Sequence, residues 1–173
     1  GDWPATPRYE IERRLVETIE RRYLPGAAFV TAAAPAIADA YAGLYDLPRP
    51  SVMLNVFPLA QAPSRPTPRG TVKLAPSVYW FSQTIGPDRG IECAIAAIGL
   101  AASRPHLFLR GHPAPGYEAE IERIAERAGA THRVHLLPPA PPDEMERIAA
   151  RYDLGLAAET GHSLSRQLCL TNK

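Results

Sequence analysis

The sequence predicts an α/β fold, a parallel sheet with helices on both faces, and two observations predict it. From Val78 onward short apolar runs alternate with amphipathic stretches. Val78–Ser82, His106–Arg110, Val134–Leu137 and Leu154–Ala157 read as strands, and helices are expected near Arg89–Ala102, Tyr117–Ala128 and Pro142–Tyr152. Strands separated by helical crossovers pair in parallel and are covered on both faces, which makes this region a Rossmann-like half. A doubly wound sheet commonly has about six strands, so the remainder is expected beyond Lys173.

The elements before Val78 follow a different rhythm. Ile11, Leu15, Val16, Ile19 and Tyr23 recur at helical spacing, predicting an amphipathic helix over Arg8–Leu24 that Pro25-Gly26 stops. Ala27–Thr31 is a short apolar run fit for a buried strand, Pro35 opens a helix to about Tyr45, and Ser51–Asn55 reads as a second short strand. Pro58, Pro63, Pro66 and Pro68 then crowd one segment, and proline lacks the donor a sheet ladder needs. The expected organisation is the end of one domain over residues 1–56, a Pro-rich connector over 57–76 and a truncated second domain over 77–173. Gly1 is not a start methionine and the chain stops in mid-pattern at Lys173, so an internal fragment of a longer protein is expected.

Composition excludes several function classes. Apolar residues make up 46% and charged residues 21%, the proportions of a soluble globular protein, so disorder is not indicated. The net charge of +1 creates no broad field for nucleic acid or an anionic membrane. Apolar stretches are broken well before the roughly 18 to 20 residues that span a bilayer, and no signal pattern opens the chain. A cytoplasmic protein is expected, with peripheral contact at the inner face of the membrane left open. Cys93 and Cys169 are far apart and lack a CxxC partner, so buried reduced thiols are expected rather than a disulfide or a zinc site.

Parallel sheets bind ligands at the carboxyl ends of their strands, so the four exit loops are where function is sought. The first, from Ser82 and Gln83 through Gly86 to Arg89 and Gly90, runs from a strand through a polar turn into a helix; its unpaired N–H groups and Arg89 favour an anion. Neither GxGxxG nor GxxxxGK[ST] is present, which disfavours an ordinary nicotinamide or ATP site. The second loop puts Arg110, Gly111 and His112 just past a strand end, where Gly111 would admit close approach of a ligand and Arg110 more often caps or pairs at the edge than binds substrate. At the third, a base could lie against Leu137 and Pro138. The fourth crowds Glu159, His162, Ser163, Ser165 and Arg166 onto one exit; Glu159 suits sugar hydroxyls, and Ser163 or Ser165 suits a helix cap. His132 and His135 are expected at the surface and form no metal pair. His162-Ser163 lacks the GxSxG elbow of a hydrolase. The Glu and Arg residues between Glu118 and Arg127 read as a salt-bridged solvent face.

The blocks YWFSQTIGPDRGIECAI, HLFLRG, RVHLLPPAPPDEM, YDLGLAAE and SRQLCLTNK resemble the carboxyl-terminal half of bacterial GT-B glycosyltransferases related to the group-1 retaining class. The stretch before the connector is similar to the last part of their amino-terminal domain, so a partial GT-B architecture is implied. By this resemblance Ser82, Gln83 and Arg89 hold the donor diphosphate, with Gln83 standing where the family usually has Arg. Glu159 matches the first glutamate of the family's two-glutamate donor motif, and Gln167 stands at the usual place of the second.

The implied activity is transfer of a sugar from a nucleotide diphosphate donor to an acceptor that is a saccharide, a lipid-linked species or a small molecule. Arg89 and Glu159 are the implied catalytic residues; Ser82, Gln83, Arg110, Gly111, Leu137, Pro138 and Ser163 complete the implied donor site. The class demands no metal and no cofactor besides the donor itself, because helix amino termini and basic side chains meet the leaving charge. The fragment alone is expected to be inactive. A sugar-nucleotide epimerase and a non-catalytic Rossmann-like binding module are the alternatives.

Overall fold

The computed structural model describes residues 7–63, 75–158, 160 and 164–170. They fall into two compact units, one holding the described residues up to Val56 together with helix α6 (Leu164–Leu168), the other those from Phe57 to Thr160. The sequence assigned α6 to the second domain, whereas its contacts are with the first unit.

In the first unit, α1 (Pro7–Tyr23) forms where the periodicity predicts it, and Arg13 bonds to both Glu10 and Glu17 along its exposed side at 3.1 and 2.8 Å. Its apolar stripe is not buried: Ile11 is 68% and Leu15 58% exposed. Helix α2 (Pro35–Tyr45) starts on Pro35 at its first position and ends where Asp46 turns left-handed with φ of 51°. Glu20 of α1 accepts hydrogen bonds from Tyr41, at 2.6 Å, and Tyr45. Both phenols are pushed up to about 12, Tyr41 first by that bond and Tyr45 first by burial. Strand β1 (Thr31–Ala32) pairs in parallel with β2 (Ser51–Val52). The expected strand at 27–31 is therefore displaced to its last residue, and Phe29 lies 82% exposed. Apolarity marked the run, but only Thr31 and Ala32 have partners opposite them. The second expected strand is likewise reduced to its first two residues. Of the Pro-rich connector, residues 64–74 lie outside the described residues; Leu59–Gln61 forms a single 3₁₀ turn.

The second unit holds β3 (Ser77–Ile85), α3 (Ile91–Leu100), β4 (His106–Pro113), α4 (Tyr117–Arg127), β5 (Val134–Leu137), α5 (Met145–Ala149) and β6 (Leu154–Gly155). All pairings are parallel and the strand order is β5-β4-β3-β6. From β3 the chain steps outward through α3 to β4 and through α4 to β5, then crosses back to place β6 on the free side of β3. Right-handed crossovers put α3 and α4 on one face and α5 on the other.

The core confirms that division. Trp80, Leu107 and Leu109 of the sheet pack with Ile91, Ile95 and Ile98 of α3 and with Tyr117, Ile121 and Ala125 of α4. The Tyr117 hydroxyl donates to Glu92, joining the two helices, and burial and then this carboxylate push its phenol up. Gly99 lets α4 approach, since a Cβ there would strike the Ala128 carbonyl. The opposite face is aromatic. Tyr152, just past α5, stacks on Tyr79 at 4.3 Å and lies 5.0 Å from Phe108. Phe108 in turn stacks on His135 at 4.6 Å, and His135 bonds to His106 with its Nε2 2.8 Å from His106 Nδ1. His135 is thus half-buried in the sheet rather than at the surface, because β5 sits beside β4 with His135 opposite Phe108. Cys93 and Cys169 are both free; Cys93 is exposed on α3, against the expectation of burial, because it points away from the Ile91–Ile95–Ile98 stripe.

Candidate functional site

The site is built where the strand order reverses. Strands β3 and β6 are neighbours, yet β3 leads to β4 on one side while β6, on the other, is reached from β5, and ligands bind parallel sheets outside the carboxyl ends at such a switch point. Asp153 secures the amino ends of these strands: its carboxylate accepts from both the Ser77 amide and the Ser77 hydroxyl, each at 2.8 Å. One step on, the Leu156 amide donates to the Tyr79 carbonyl at 2.8 Å.

Strand β3 is longer than expected and irregular at its exit. Phe81 pairs with Arg110 and Thr84 with His112, so Ser82 and Gln83 together oppose Gly111 alone. This is a one-residue bulge, a feature that gathers at sheet rims and beside active sites. Because side chains alternate along a strand, the extra residue reverses parity, and Ile85 turns into the α3–α4 core instead of joining Tyr79 and Phe81 on the aromatic face. Gly111 makes the bulge fit: its φ is 149°, and a Cβ on it would fall onto the Ser82 carbonyl. The sequence assigned Gly111 to a ligand's approach; what approaches it is Ser82. Ser82 is half-buried in the bulge and Gln83 is exposed, both within the strand rather than in the turn after it.

Arg89 was expected in the first turn of the helix, but α3 begins at Ile91. Arg89 sits ahead of it, half-buried, between two left-handed residues, Asp88 with φ of 60° and Gly90 with φ of 71°. Among the described residues its guanidinium makes no hydrogen bond or ion pair. Gly90 at the N-cap offers no side chain to the first amides of α3. Arg110 differs: its Nε donates to the Tyr79 hydroxyl at 2.8 Å and its Nη1 to the Pro138 carbonyl at 2.5 Å. It thereby braces β3 against the exit of β5, and the Tyr79 phenol, pushed up by burial, is partly restored by this cation. Leu137 ends β5 half-buried, and Pro138 is exposed.

The first and fourth loops meet. The Thr160 hydroxyl donates to the Asp88 carbonyl at 2.8 Å, and a Cβ on Gly90 would lie 3.0 Å from that of Ala158. Glu159, between these two contacts in sequence, lies outside the described residues, as do His162 and Ser163; the Ser165 side chain is also undescribed. Sequence reasoning overlooked Thr160 and Asp88, since no pattern signals a hydroxyl-to-carbonyl bond across 72 residues. Among the described residues no group of three His, Cys, Asp or Glu could hold a metal. No helix among them is long and apolar enough to cross a membrane.

No protein-family model matches the chain, and no curated protein sequence matches it. Solved structures match it in fold. HepE of Anabaena in complex with UDP and glucose aligns with a TM-score of 0.71 at 20% identity, over 90% of this chain and 44% of that one. Sucrose-phosphate synthase of Thermosynechococcus elongatus aligns with a TM-score of 0.64 at 13% identity, over 83% of this chain and 38% of that one. A glycosyltransferase of Rickettsia africae gives 0.63 at 10% identity, over 92% and 43% respectively. The chain spans less than half the length of each, and what it shares with them is the fold. That fold is the α/β, Rossmann-like architecture of GT-B glycosyltransferases, present in part.

Proposed function

We propose that this chain carries the nucleotide-sugar site of a glycosyltransferase, which moves a sugar from a uridine diphosphate donor to an acceptor. The observation that carries this reading is the junction of two loops at the switch point, Thr160 on Asp88 and Ala158 over Gly90, in a fold shared with a protein solved with UDP-glucose. As the bond from sugar to diphosphate breaks, negative charge grows on the leaving oxygen. Arg89 and the first amides of α3 would meet that charge, with Ser82 and Gln83 of β3 adding polar contacts. Glu159 and Ser163, next to this junction in sequence, would take hydrogen bonds from sugar hydroxyls. Arg110 and Gly111 shape the strand exits, and Leu137 and Pro138 border the place for a base. The acceptor would be a saccharide, a lipid-linked species or a small molecule, met in the cytoplasm or at the inner face of the membrane.

Calorimetry of the polypeptide carrying this chain tests the reading, with UDP, UDP-glucose and UMP as ligands. Binding of UDP well above that of UMP is expected. Equal or absent binding of all three would refute it.

A further inference from the structure

We infer that Thr160 is a positioning residue for Arg89, acting through the backbone of Asp88; this rests on the donor-site reading above. Asp88 adopts a left-handed conformation with φ of 60° that a non-glycine residue holds only at a cost. The turn is short, and the next residue but one, Gly90, is left-handed too. Arg89 stands between two such residues and takes its direction from the peptides that join it to them. The one side-chain bond to the turn among the described residues comes from Thr160, whose hydroxyl donates to the Asp88 carbonyl at 2.8 Å. Ala158 closes the other side: a Cβ at Gly90 would stand 3.0 Å from its own. The turn is thus held from the β6 side at both ends of Arg89.

The consequence is that the segment beside Glu159 sets the aim of the cation that would meet the diphosphate. A hydroxyl in the loop assigned to the sugar would govern the loop assigned to the leaving group. Thr160 is exposed and lies outside the hydrophobic core, so its role is separable from folding.

Calorimetry with UDP and UMP on the same polypeptide tests this. Thr160→Val keeps the shape and removes the hydroxyl, and Thr160→Ala is a second hydroxyl-free variant should the first be unstable. Both are expected to weaken UDP about fivefold, the effect of one lost hydrogen bond, with little change for UMP, which lacks the terminal phosphate. Thr160→Ser should bind UDP as the wild type does. In an Arg89→Ala background Thr160→Val should cost nothing further. Wild-type affinity in Thr160→Val while Arg89→Ala is impaired would overturn the positioning role and leave the donor site standing. Equal weakening of UDP and UMP, or a full additional loss in the Arg89→Ala background, would also overturn it, marking Thr160 as merely structural. A wild-type protein with no preference for UDP over UMP would remove both readings together.

Discussion

Gly111 and Ser82 lie so close across the β3–β4 pair that a single methyl group on Gly111 would clash with the Ser82 carbonyl oxygen. Gly111→Ala therefore meets a backbone atom that cannot swing away, at a φ of 149° that L residues rarely adopt. The expected loss is about 3 kcal/mol or more of unfolding free energy, read from urea denaturation. Stability within about 0.5 kcal/mol of wild type would mean the bulge can relax without it.

Arg133 offers a second test of what holds the α3–α4 layer. It is buried, and its guanidinium donates to the Ile98 and Gly129 carbonyls, the latter at 3.1 Å. Those acceptors lie at the carboxyl ends of α3 and α4, where the helices leave carbonyls without amide partners. Arg133→Met fills the space yet strands them, so a loss of about 2–4 kcal/mol is expected in the same denaturation experiment. Arg133→Lys should recover only part, since an ammonium cannot span both carbonyls as a fork does.

The paired imidazoles give the unit a pH dependence. Burial, then the neighbouring His106, hold His135 below its ordinary value of 6.5. A depressed histidine means that the unfolded chain takes up the proton first. Stability is therefore unaffected at pH values where both states are neutral and falls as pH drops through 6.5 toward the lower folded value. Thermal unfolding followed from pH 8 to pH 5.5 (roughly the span in which histidine titrates) should show this decline, and His135→Phe should flatten it. An unchanged slope in that variant would assign the decline to other groups.

Two substitutions separate the donor roles. If Arg89 meets the leaving diphosphate as proposed, Arg89→Ala in the full-length protein should lower turnover about a hundredfold, on the order of 3 kcal/mol, because such a contact strengthens as charge develops. Donor affinity should fall less than turnover. Glu159→Gln keeps the shape but weakens bonds from sugar hydroxyls, impairing use of UDP-glucose while leaving UDP binding largely intact. Steady-state kinetics beside calorimetry reads both, and wild-type behaviour in both variants would reduce Arg89 to a solvated turn residue and Glu159 to a surface carboxylate.

How much of this was legible in the sequence depends on how local the cause is. The existence of β3 to β6 and their parallel pairing followed from apolar runs and crossovers, and α2 and α4 fell within a residue of expectation, since proline, helical periodicity and a closing Asp or Gly are local signals. The bulge was invisible. Val78 to Phe81 is apolar at every position, as a strand buried on both faces must be, so no alternation existed whose break could mark the parity change before Ile85. His135 was misjudged for a related reason: its surroundings, Phe108 and His106, come from another strand, and register between strands is not written in either one. Arg110 does pair at the sheet edge, as its place just past a strand end suggests, but its particular partners Tyr79 and Pro138 stand 31 and 28 residues away in sequence. At Ala27–Thr31 the signal was present but misleading, because apolar composition does not say which residues find a partner.

The bond between Thr160 and Asp88 joins residues 72 apart, and everything from α3 to β6 lies in the loop it closes. Contacts of such long sequence separation form late, after local pairings have reduced the entropy of closure. A chain released before β6 could pair β3, β4 and β5 yet would lack the tie that aims Arg89. On the proposed reading, nucleotide binding should therefore emerge only in the final phase of refolding, after the sheet is fully assembled.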